Sequence, residues 1–231
     1  MYYRRYPISC ARNVRDLGGY PTQNGGVTKF GVFIRSNMWD DAPDQDIALI
    51  KSAGVTTVID LRSSDEVERH PHPLNESRGF DYHNVPLNGG GRIPASKKEI
   101  PDTYVDMIDG PEYIAEAFRI LADAQGAVLF NCVAGKDRTG LVAEFLLEIA
   151  GVGKDDVMAD YVLSDPYLRE GLVSFAKSEG MDPDRIIPVR DTWEEFYRRF
   201  SLRYKDVRTY LLEAGVTEEE LGRIVDKFVD R

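Results

Sequence analysis

Residues 127–140 constrain the fold more than any other part of this chain. Ala127 to Asn131 is a short, nearly all-apolar run that reads as a buried strand, and it leads straight into Cys132. Val133-Ala134-Gly135-Lys136-Asp137-Arg138-Thr139-Gly140 follows. Beyond it Leu141, Val142, Phe145, Leu146 and Ile149 line one face of a helix that ends near Gly151. A strand that passes through a tight loop into a helix aims several backbone N–H groups at one point. The helix dipole adds partial positive charge there, so the loop is an anion site. A cysteine at its base has its thiolate stabilised.

The residue types in this loop point to phosphoryl transfer. Cys132 is the candidate nucleophile. Arg138, six positions later, can close back over a bound anion and take two phosphate oxygens with its planar fork. Gly135 permits the tight path, and the Thr139 hydroxyl is expected to hydrogen-bond the Cys132 sulfur. Val133, Ala134, Gly135, Lys136 and Thr139 are the expected substrate-binding residues. The bland alternative is a structural cysteine at a strand end, but the Gly, Lys, Asp, Arg and Thr around it are poor core material. A nucleotide-binding Walker loop fails because Lys136 is not followed by Ser or Thr. A cysteine protease leaves Arg138 unexplained, and His70, His72 and His83 are remote in sequence.

The rest of the chain reads as α/β. Val32 to Arg35 and Val55 to Leu61 read as strands, Asp46 to Ala53 as a short helix ended by Gly54, and Tyr82 to Leu87 as a weaker strand. Ile114, Ala117, Phe118 and Leu121 mark a helix face. After Gly151 the pattern is helical: Asp155 to Leu163, Tyr167 to Ser178, Thr192 to Phe200, Tyr204 to Ala214 and Thr217 to Val229. The last opens with a Thr217/Glu220 capping box. Trp193, Phe196 and Phe200 are spaced as core. The expected fold is a central, mostly parallel sheet flanked by helices, with a helical C-terminal region. One domain, 1–231, is expected, with about 150–200 a candidate helical cap or lid. Asn88 to Asp102 reads as a surface loop, and its Arg92, Lys97 and Lys98 would make it a basic flap if it lies beside the site.

Charge and cysteine count limit the partners. The formal net charge of the 231 residues is −10, a field that repels nucleic acid and anionic membrane surfaces. A local pocket of N–H groups and one arginine can still draw a small anion. Cys10 and Cys132 are the only cysteines, so no disulfide framework is expected and a reducing compartment is the default. Neither a signal peptide nor a membrane span is apparent. The cytoplasm is the simplest assignment, with export lacking a cleaved signal left open. His70-Pro71-His72-Pro73 reads as a surface loop rather than a metal site. The sequence is silent on oligomeric state.

At the loop the chain resembles a family of bacterial tyrosine-phosphatase-like proteins, among them dual-specificity and phosphoinositide phosphatases, with the pattern His-Cys-x-x-Gly-Lys-Asp-Arg-Thr-Gly. Asn13-Val14-Arg15-Asp16-Leu17-Gly18-Gly19-Tyr20, Arg35-Ser36, Asp60-Leu61-Arg62 and Tyr204 to Leu221 are similar to further parts of it. The resemblance implies a phosphotyrosine-phosphatase-like fold and a metal-free, cofactor-free hydrolysis through a phosphocysteine on Cys132, with Arg138 as clamp and Lys136 and Asp137 lining the site. It implies a phosphorylated protein as substrate, with a phosphoinositide as the alternative. Asp137 and Asp60 are the candidate general acids, and Arg15 with Asp16 reads as a structural ion pair. The family's His before the cysteine is Asn131 here, which can hydrogen-bond but carries no charge. A catalytically weak phospho-ligand-binding module is therefore the alternative to an enzyme.

Overall fold

The structure is a computed structural model and describes residues 2–87, 93–187 and 189–231. Strands Arg15–Asp16 (β1), Val27–Thr28 (β2) and Phe33–Asn37 (β3) come first. Helix Asp44–Ser52 (α1), strand Val55–Asp60 (β4), helix Ser64–Arg69 (α2) and strand Asp81–Asn84 (β5) follow. Ile100–Ile108 (α3) and Pro111–Asp123 (α4) lead to strand Ala127–Cys132 (β6) and helix Arg138–Ile149 (α5). The chain then runs through Lys154–Val162 (α6), Ser164–Ser178 (α7), Arg190–Tyr204 (α8), Val207–Glu213 (α9) and Glu218–Phe228 (α10) to Val229–Asp230 (β7).

The main sheet has the order β1-β3-β6-β4-β5, parallel throughout except for the antiparallel edge strand β1. β2 and β7 form a separate two-stranded ribbon. β6 is central and buried along its whole length, as its apolar composition requires. Successive side chains alternate between the two faces. Val128, Phe130 and Cys132 join the larger core, which also takes in α3, α4, α5 and the C-terminal helices. Ala127 and Leu129 join the smaller core against α1. The register sets Cys132 beside Asn37, and Asn131 between Ser36 and Asp60. This is the mostly parallel sheet with flanking helices and a helical C-terminal region that the sequence implies.

Three local features depart from the sequence reading. Ile100–Ile108 is helical, so the expected loop is shorter. Lys97 and Lys98 sit on an exposed turn, while Asn88 to Arg92 lie outside the described residues. Tyr204 to Ala214 is not one helix. α8 runs through Tyr204, Lys205 takes φ 67°, and the Asp206 side chain caps α9 by accepting from Thr209 N–H. In the 150–200 region, Val157, Met158, Tyr161, Trp193, Phe196 and Phe200 of α6 and α8 belong to the main core. α7 by contrast buries only Ser164, Leu168 and Ala176, so cap-like exposure is confined to it and the turn after it. No helix among the described residues is long and apolar enough to cross a membrane.

Candidate active site

Cys132 ends β6, and the chain turns through Val133–Asp137 into α5. Gly135 has φ 66°, and a Cβ there would stand 2.4 Å from the Ser36 carbonyl oxygen, so only glycine fits. The loop carbonyls are held by residues from the far N-terminal part of the chain. Asn13 Nδ2 donates to the carbonyls of Ala134 (3.2 Å) and Gly135 (3.0 Å), and Arg35 Nη2 donates to Gly135 at 2.9 Å.

Arg35 and Arg15 share a fully buried carboxylate, Asp160, with Arg15 Nε 3.0 Å from it. Burial works to raise the Asp160 carboxyl, but the two guanidiniums bring it down to about 2. Burial pushes the neighbouring Glu144 carboxyl well up. The expected Arg15–Asp16 pair is not formed. Asp16 instead accepts from the N–H groups of Gly18 (2.8 Å) and Gly31 (2.9 Å), and burial pushes it up to about 6.

Arg138 is 3% exposed and is gripped by Glu66, with Nη1–Oε2 at 2.6 Å and Nη2–Oε1 at 3.0 Å. Glu66 also closes the capping box of α2 by accepting from the Ser63 N–H at 2.8 Å. Burial tends to raise the Glu66 carboxyl, yet Arg138 draws it down to about 2. Glu66 escaped the sequence reading, although Ser63-x-x-Glu66 is a visible capping signature.

The remaining loop side chains are also tied. The Lys136 ammonium, 6% exposed in all, donates to the Ile186 carbonyl at 2.5 Å and lies 3.2 Å from Asp137. Asp137 stands at the N-cap of α5 and accepts from the Tyr104 hydroxyl at 2.6 Å, which in turn meets Tyr161 at 2.9 Å. Val133 is exposed at the loop tip. Thr139 departs from expectation. Its hydroxyl is buried in the first turn of α5 with no hydrogen-bond partner among the described residues, and the bond to sulfur is not made.

Asp60 is fully buried. It takes bonds from Arg62 Nε (2.9 Å) and Nη2 (2.6 Å), the Arg62 N–H (3.1 Å), the Tyr82 hydroxyl (3.1 Å) and Asn131 Nδ2 (3.4 Å). A carboxylate saturated in this way anchors the turn after β4 and has no free oxygen for a leaving group. Asp137 meets fewer donors, the Tyr104 hydroxyl and the Lys136 ammonium. Cys10 is also a free thiol, but burial and then Asp46 push it up to about 12, so it is protonated at neutral pH.

The mostly parallel α/β sheet thus ends its central strand in a buried cysteine, and the loop after it enters α5 through a buried arginine. The chain belongs to the tyrosine phosphatase family, whose sequence model matches residues 6–230. It is similar to a tyrosine-protein phosphatase of Nostoc commune, 36% identical over 170 residues that make up 70% of this chain and 55% of the relative. This chain thus spans little more than half of that relative's length. The triple specificity protein phosphatase PtpB of Mycobacterium tuberculosis is 25% identical, with 93% of this chain and 95% of PtpB covered. The crystal structure of P. aeruginosa TpbA aligns with a TM-score of 0.41 at 18% identity, over 82% of this chain and 89% of that one.

Proposed function

We propose that this chain hydrolyses phosphate monoesters through a phosphocysteine intermediate, with phosphotyrosine in protein as the leading substrate. The observation that carries the reading is Cys132 at the base of a loop whose carbonyls are held by Asn13 and Arg35 and which leads into Arg138, itself fixed by Glu66. The Cys132 thiolate attacks phosphorus and the ester P–O bond breaks, while Asp137 gives its proton to the leaving oxygen. Water then attacks phosphorus, the P–S bond breaks, and the Asp137 carboxylate takes the water proton. Inorganic phosphate leaves and the thiolate is restored. Loop amides and Arg138 hold the equatorial oxygens in both steps, so the scheme calls for no metal.

A nucleophilic thiol also fits a reducing, cytoplasmic setting. In this reading 1–231 works as one domain, with α7 and the turn at Pro183–Arg185 as its least buried C-terminal part and the candidate cap. A phosphoinositide is kept as a second substrate class because Lys136 adds a cation at the loop that a second phosphate could take from the Ile186 carbonyl. The test is turnover of para-nitrophenyl phosphate by the wild-type chain and by Cys132→Ser, with phosphate binding measured in both. The expected result is activity in the first, none in the second, and binding in each. Binding without turnover in the wild type would make the chain a phospho-ligand-binding module.

A further inference from the structure

A buried polar cluster beneath the end of β6 contains a histidine that the proposed reaction leaves unused. The His70-Pro71-His72-Pro73 stretch reads as surface, but the two histidines diverge. His70 is exposed, whereas His72 is 2% exposed. His72 Nδ1 accepts from the Leu74 N–H at 3.0 Å, so the neutral ring carries its proton on Nε2. The ring lies 5.8 Å from that of Tyr82, whose hydroxyl donates to the same Asp60 carboxylate that Asn131 Nδ2 meets.

Asn131 spends its Nδ2 on Asp60 Oδ1 at 3.4 Å, which leaves its Oδ1 as an acceptor. That Oδ1 and His72 Nε2 are both buried, and neither has a hydrogen-bond partner of standard geometry among the described residues. One is a donor and the other an acceptor. Burial depresses the imidazole to about 4, with Asp60 favouring its charged form and Arg62 opposing it, so it acts as a neutral donor rather than a cation.

We propose that His72 is a positioning residue for the phosphate loop: its Nε2–H completes Asn131, and the relay His72–Asn131–Asp60 fixes the residue from which Cys132 projects. Only its kinetic consequence rests on the hydrolase reading. The backbone extends the effect to the clamp. The Asn131 carbonyl accepts from the Leu61 N–H at 2.8 Å, and the Leu61 carbonyl accepts from Arg138 Nη1 at 3.4 Å. The cysteine and the arginine are thus set by the same turn. Without the imidazole donor the Asn131 amide is free to rotate, and the geometry that binds the transition state loosens more than the one that binds substrate.

The experiment compares His72→Ala, His72→Gln, Asn131→Leu and the His72→Ala/Asn131→Leu pair, each checked for cooperative melting. On para-nitrophenyl phosphate, His72→Ala is expected to lower kcat about 10-fold with KM within about twofold. His72→Gln, whose amide can donate from near the Nε2 position, should recover most of it. The pair should be no worse than the poorer single variant. Losses that multiply in the pair, or no recovery with glutamine, would overturn the proposal. Imidazole nitrogen NMR supplies an arm that needs no turnover. The wild type is expected to show an Nε2-protonated ring whose Nε2 resonance shifts in Asn131→Leu. An Nδ1-protonated ring, or an Nε2 resonance indifferent to residue 131, would sink the relay even if the chain hydrolyses nothing. Absence of wild-type turnover with the expected NMR would sink only the hydrolase reading.

Discussion

Glu66 holds both terminal nitrogens of Arg138, at 2.6 and 3.0 Å, from the first turn of a helix whose cap it also completes. A planar fork can face two phosphate oxygens only if its own plane is fixed, and here a carboxylate on α2 fixes it.

The first prediction follows from that pairing. Glu66→Ala is expected to lower kcat/KM for aryl phosphates by about 100-fold, because a guanidinium displaced by about 1 Å loses that much. Glu66→Gln keeps one acceptor and should lose less. Steady-state kinetics and vanadate affinity check this. Equal losses in both variants would mean that the carboxylate acts through α2 stability alone.

Much of this site is legible before the structure, and the reason is local. The β6 strand, the loop and α5 announce themselves by composition and period over residues 127–149, since each is decided by near neighbours. The supports are different. Asn13 and Arg35 bind the Gly135 carbonyl from about a hundred residues away, and Asp160 sits opposite Arg15 and Arg35 with no periodic signal to link them. Ser63-x-x-Glu66 is readable as a cap, but nothing nearby tells that the capping carboxylate has a second partner in Arg138. Asp60 misleads for the same reason. Its place at a strand end fits an acid as well as an anchor, and the bonds it takes from Arg62 and Tyr82 come from a neighbouring turn and strand that its own position does not announce.

The second prediction separates the two aspartates. Asp137→Asn should lower kcat by roughly 100-fold for esters with poor leaving groups, and by less for activated aryl phosphates. Asp60→Asn should instead destabilise the fold, because it removes the charge partner of a buried Arg62, a loss on the order of 3–5 kcal/mol. Leaving-group series and thermal melts on both variants give the answer. Leaving-group dependence in Asp60→Asn, with none in Asp137→Asn, would reverse the assignment.

A third prediction concerns substrate class. Lys136→Ala removes the ammonium that lies between the Ile186 carbonyl and Asp137. If phosphoinositides are substrates, their KM should rise more than that of a phosphotyrosine peptide, by about 10-fold against about twofold. Equal shifts would remove the case for lipid headgroups.

The last prediction uses acid stability to read His72 without reference to catalysis. Its folded-state pKa, about 4, lies below the ordinary 6.5, so the folded chain resists a proton that the unfolded chain accepts. The stability that neutral His72 contributes is present above pH 6.5 and is lost as pH falls through about 4. At the low end the loss is about 3 kcal/mol. Asp16, raised to about 6, and Glu148, raised to about 7, act in the opposite direction, since their protonation favours the folded state as pH falls. The quantity to measure is therefore a difference: denaturant unfolding of wild type minus His72→Gln, at intervals from pH 7.5 to 4. The wild type should lose stability relative to the variant over that range, most steeply between 6 and 4. A difference that stays flat would mean that His72 accepts its proton in the folded protein as readily as in the unfolded one, and a charged imidazole would then have to be accommodated beside Arg62.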